Sequence, residues 1–125
     1  MKDLKKTSLN RNQIEAMNEL KEILLKRYNG RLMLITLFGS RARGERHWQS
    51  DVDILVVTRK RTRKFDSEII EIETELDDRY DYKIHFSITA MSLSKYRWMV
   101  KRQWPFIVTV KEDGIEVWRN PELKI

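Results

Sequence analysis

The seven residues Leu32–Phe38 are apolar apart from Thr36, and Gly30 and Gly39 bracket them. A run this short cannot span a bilayer. It is also too short for a typical helix and shows no polar alternation, so it reads as a strand buried on both faces. Val52–Thr58 is rich in β-branched and apolar residues and reads as a second buried strand. Two such strands need layers of other structure to cover them. The chain has 125 residues, a size that fits one domain over residues 1–125 with one modest core.

Helical periodicity supplies the covering layers. Ile14, Met17, Leu20, Ile23, Leu24 and Leu25 recur at helical spacing between residues 10 and 29, with Asn10 as N-cap and Asn29-Gly30 as the stop. A second helix is expected to start near Asp66 or Ser67 and to carry Ile69, Ile70, Ile72 and Leu76. Residues 82–89 alternate, which places Tyr82, Ile84, Phe86 and Ile88 on one face of a half-buried strand. Ser92 or Ser94 caps a helix through Gln103 on which Trp98 is read as core, and Pro105 opens a short helix ending near Gly114. Residues 115–118 form a final strand before Asn120-Pro121. The order predicts an α/β or α+β sandwich around a small mixed sheet.

Composition narrows the classes of function. No cysteine is present, which excludes disulfides, thiolate zinc sites and a thiol nucleophile, and is compatible with a reducing cytoplasm. The N-terminal residues carry charge without an apolar segment, so neither a signal peptide nor a membrane anchor is read there. The net charge of +6 favours phosphate-bearing or acidic partners. The basic residues 59–64 read as a solvated loop, a nucleic-acid contact or a docking point for an acidic protein. Lys95, Arg97, Lys101 and Arg102 alternate with Tyr96, Trp98 and Trp104, a mixture that can stack single strands or serve as the wet face of a helix.

The chemistry concentrates between the two apolar strands. Gly39 and Ser40 follow the first strand, and Asp51 and Asp53 open the second. An i, i+2 spacing on a strand turns both carboxylates to one face. Two carboxylates so close repel and call for a hard divalent cation; Mg²⁺ binds through one or two carboxylates and completes its shell with water and substrate phosphates. Gly39 lets a phosphate approach the backbone, and Ser40 adds a hydroxyl. A helix starting there would present free N–H groups, and Arg41 and Arg43 add positive charge.

Gly39-Ser40-x10-Asp51-x-Asp53, set within Phe-Gly-Ser-Arg-Ala-Arg-Gly and Ser-Asp-Val-Asp-Ile-Leu-Val, resembles the signature of the minimal nucleotidyltransferases of the polymerase-beta-like superfamily. Pro105-Phe106-Ile107 and the stretch from Glu112 to Glu116 resemble a tail found in short members. The resemblance implies a small α/β fold whose Gly-Ser loop holds the triphosphate of a nucleotide, while Asp51 and Asp53 hold Mg²⁺. It implies further that a nucleotidyl group, AMP from ATP in some members, passes to a protein or RNA acceptor with loss of pyrophosphate. Short members are similar to the antitoxin half of toxin–antitoxin pairs, so a helical partner protein or a second copy would complete the site.

The chain departs from that pattern at one place. The superfamily carries a third acidic residue on the next strand, whereas residues 82–89 offer Lys83, His85 and Ser87, with Asp81 just before them. Three readings follow: an active transferase, with His85 or Asp81 as substitute; a degenerate nucleotide-binding or toxin-masking subunit; and a nucleic-acid module using basic surface alone. The paired carboxylates speak against the third.

Overall fold

The computed structural model describes residues 7–44 and 51–125. The elements are α1 (Arg11–Arg27), β1 (Leu32–Phe38), β2 (Val52–Thr58), α2 (Arg63–Arg79), β3 (Phe86–Ser92), α3 (Leu93–Lys101), α4 (Pro105–Asp113) and β4 (Ile115–Arg119). They build a four-stranded mixed sheet in the order β3-β2-β1-β4. β1 is antiparallel to both β2 and β4, whereas β2 and β3 are parallel. Parallel neighbours cannot be joined by a tight turn, and α2 is the crossover between them. The mixed α/β architecture agrees with the expected fold class.

Central position explains why β1 and β2 are apolar almost throughout. On one face Met17, Leu20 and Leu24 of α1 and Phe65, Ile72 and Leu76 of α2 form a cluster with Ile35, Ile54 and Val56 of the sheet. On the other, Tyr96 of α3 and Ile107 and Val110 of α4 pack with Leu34, Leu55 and Val57. Burying each such side chain contributes about 1.5–3 kcal/mol. Asn120 fastens the end of the sheet: its side-chain amide donates to Leu32 O at 3.0 Å and its backbone N–H to Met33 O at 2.9 Å.

Local chemistry sets the element ends. Asn10 and Gln13 form a reciprocal capping box at the start of α1. α2 begins at Arg63, earlier than the expected Asp66 or Ser67, because the Thr62 hydroxyl accepts from Phe65 N–H at 3.0 Å and Phe65 is buried. Arg63 and Lys64 therefore belong to the first turn of a helix. The third strand begins at Phe86 instead of Tyr82. Asp81 and Tyr82 adopt left-handed conformations, with φ of 55° and 58°, and Tyr82 is left exposed. On α3 the expected core position is also corrected: Tyr96 is buried, whereas Trp98 is 43 % exposed.

Candidate active site

β1 ends at Phe38, opposite Asp53 of β2 in the antiparallel register. Gly39 then takes φ of +78°, and the chain folds through a turn closed by Arg43 N–H to Gly39 O at 3.3 Å and Gly44 N–H to Arg41 O at 3.2 Å. Residues 40–44 form this turn and not the helix that a reading of the sequence allows. A methyl group on Gly39 would overlap Asp53 Oδ2 and lie 3.3 Å from its Cγ. The space left by the missing side chain is thus occupied by the Asp53 carboxylate, a second reason for glycine besides close approach of a phosphate.

Asp51 is exposed and Asp53 half-buried at the start of β2. Burial raises the Asp53 carboxyl above its usual range, the negative charge of Asp51 raises it further, and Arg43 works in the opposite direction. A carboxylate held against a like charge and partly out of water suits a bound cation. The donor set of two carboxylates beside a glycine turn fits Mg²⁺, which takes few protein ligands and leaves room for phosphate oxygens.

The flanking residues divide by environment. Arg41 is buried; its Nη1 donates to Ser8 O at 3.3 Å, and its own carbonyl accepts from Ser8 N–H at 3.4 Å. It ties the turn to the segment before α1. Arg43 is exposed on the same turn as Ser40. His47 and Trp48, which lie between Ser40 and Asp51 in the sequence, fall outside the described residues.

Parallel pairing settles what stands beside the two aspartates. Val52 N–H donates to His85 O at 2.7 Å, and Asp53 is in register with Ser87. Ser87 therefore holds the β3 position next to Asp53, on the same face. His85 is largely exposed, with Nδ1 3.6 Å from Asp77 Oδ2 on α2. Asp81 sits in the turn after α2, well before Ser87 in the chain. The sequence does not single out Asp77, since helical periodicity cannot tell which carboxylate reaches the beginning of a distant strand. The basic residues 59–64 follow the opposite end of β2, where Arg59 pairs with Glu122 and Arg61 with Asp66.

Known proteins resemble this chain in sequence and in fold. A family model described as a nucleotidyltransferase domain matches residues 17–114. Two proteins of Methanocaldococcus jannaschii, each named a putative protein adenylyltransferase, are similar. One is 34% identical over 103 residues, covering 82% of this chain and 95% of its own length. The other is 32% identical over 105 residues, covering 83% and 97%. Among solved structures, a toxin–antitoxin with AMP-PNP is 27% identical with a TM-score of 0.54, covering 84% of this chain and 76% of that one. A minimal nucleotidyltransferase shares the fold at 21% identity and a TM-score of 0.54, covering 86% and 95%.

Proposed function

The chain belongs to the nucleotidyltransferase domain family, and from that premise we propose that it transfers AMP from ATP to a hydroxyl group of a partner protein. The observation that carries the reading is the Asp53 carboxylate seated in the space left by Gly39, with Asp51 beside it. The names of the two archaeal relatives favour a protein acceptor over RNA. The toxin–antitoxin with AMP-PNP favours an adenine nucleotide and a separate partner chain.

In this reaction an acceptor oxygen attacks the α-phosphorus, the bond to the bridging oxygen of the β-phosphate breaks, pyrophosphate leaves, and the acceptor proton is lost. Asp51 and Asp53 would hold Mg²⁺, which when bound supplies neutralisation of the charge developing on the phosphates. The turn from Gly39 to Gly44 receives the triphosphate: Gly39 through its backbone, Ser40 through its hydroxyl, and Arg43 through positive charge from the solvent side. Arg41 keeps the turn in place from behind. The acceptor must be brought in line with the α-phosphorus, a task this reading gives to the partner protein. No helix among the described residues is long and apolar enough to cross a membrane, and we place the reaction in the cytoplasm, where ATP and Mg²⁺ are supplied.

Ser87 is in register with Asp53, on the strand where the family resemblance would put a third carboxylate to take the acceptor proton. Loss of general-base help lowers the rate by about 10²–10⁴. His85 is the titratable group nearest to that position along the chain. Transfer of label from α-³²P ATP to the protein encoded beside this chain would be measured for wild type, Asp53→Ala and His85→Ala. The expected result is slow Mg²⁺-dependent labelling that Asp53→Ala abolishes. Labelling that survives Asp53→Ala would refute the site. Metal-dependent nucleotide binding with no transfer to any acceptor would favour the degenerate-subunit reading.

A further inference from the structure

From Tyr82 to Lys111 the chain contains no Asp or Glu, and within it lie Lys83, Lys95, Arg97, Lys101, Arg102 and Lys111. α3 turns Leu93 and Tyr96 to the core, which sends Trp98 to solvent. Trp104 lies against it with ring centroids 5.6 Å apart, and the Arg102 guanidinium sits 4.6 Å from the Trp98 ring centroid. Both indoles are nearly half exposed, at 43 % and 46 %. Gln103, with φ of 49°, makes the corner that folds Trp104 back toward Trp98.

Phe106 links the start of α4, next to this platform in the chain, to the end of β1. Phe106, two residues after Trp104, meets Phe38 edge-on at 5.4 Å, and Phe38 immediately precedes Gly39. Exposed tryptophan and arginine at the centre of a surface patch are the residue types that dominate protein–protein binding energy. A guanidinium resting over an indole keeps N–H donors at its edge for a bidentate pair with a carboxylate.

The geometry points to Trp98, Arg102 and Trp104 as the docking surface for an acidic face of the acceptor protein. The inference rests on the transfer reading above and specifies its partner. Charge complementarity selects the occupant: a cationic segment without a single carboxylate over thirty residues favours a partner rich in Asp and Glu. Single-stranded nucleic acid is the alternative occupant, and the Arg102 guanidinium over Trp98 with the Trp104 ring beside it takes up part of the stacking surface a base would use.

Binding of the protein encoded beside this chain would be measured by calorimetry without ATP, so that docking is read apart from chemistry. The variants are Trp98→Ala/Trp104→Ala, Arg102→Glu and, as a control at the other end of β2, Lys60→Glu/Arg63→Glu. The first two are expected to weaken binding by about 30-fold or more, the range of hot-spot residues, while the control leaves it unchanged. Melting curves should stay close to wild type, since the replaced side chains are exposed. Unchanged affinity in the platform variants, or no binding by wild type, would overturn the proposal. So would platform-dependent binding of an oligouridylate together with platform-independent binding of the protein. Mg²⁺-dependent ATP binding by the same variants tests the transfer reading separately: it should persist in all of them, and its absence from wild type would count against that reading alone.

Discussion

Replacing Gly39 by alanine separates two roles of that residue, and Gly30 provides the control. Gly39 and Gly30 have nearly the same φ, +78° and +82°. A methyl group on Gly30 meets nothing within 4 Å, whereas one on Gly39 overlaps the Asp53 carboxylate. Gly30→Ala should therefore carry only the left-handed strain, about 1–2 kcal/mol. In a domain of this length that lowers Tm by about 3–8 °C, with activity unchanged. Gly39→Ala carries the same strain and a steric conflict as well. Asp53 is short and can rotate away, so most of the added cost falls on geometry: a displacement of about 1 Å at a reacting centre costs about 10²-fold in rate. Thermal melting and label transfer from α-³²P ATP would be measured on both variants. Equal activity in the two, at equal loss of stability, would refute the claim that Gly39 is needed to seat Asp53.

Two further substitutions test the carboxylates. Asp53 binds its proton more tightly in the fold than in the unfolded chain, so its contribution to stability is lost as the pH rises from its ordinary value of 3.8 through the raised folded value. Asp53→Asn should accordingly raise Tm at pH 7 without metal, and Mg²⁺ should stabilise wild type more than the variant; a lower Tm for the variant would contradict the electrostatic account. Ser87→Asp would place a carboxylate beside Asp53 on β3. It should lower Tm without metal, increase stabilisation by Mg²⁺, and raise the transfer rate toward the 10²–10⁴ range of general-base catalysis; a variant that binds Mg²⁺ more tightly yet transfers no faster would show that proton removal is not limiting.

The candidate site is legible in the sequence because its parts are local. Gly39 and Ser40 end one apolar strand, Asp51 and Asp53 begin the next, and the i, i+2 rule alone aligns the carboxylates. The neighbour of Asp53 on β3 lies beyond such rules, since the register of a parallel pair is set by packing across the whole α2 crossover. Alternation at Tyr82 and Ile84 imitates a strand, but the left-handed turn at Asp81 and Tyr82 uses up those residues first. On α3 a 3.6-residue period admits either aromatic as core, and burial of Leu93 with Tyr96 decides the helix rotation. The start of α2 is set by a single hydroxyl, that of Thr62, and the basic run around it hides the cap from a search for apolar periodicity.

Of the four strands, the last in chain order pairs with the first. β4 covers one edge of β1, while β2 covers the other, so the turn that seats Asp53 can be assembled long before the sheet is closed. During translation, until Ile115–Arg119 leaves the ribosome, β1 offers a row of unpaired backbone groups along its outer edge. Such an edge is a template for aggregation. A message truncated before β4 would therefore yield a chain that carries the Gly39–Asp53 pairing but has an open sheet, and quality control rather than catalysis would decide its fate.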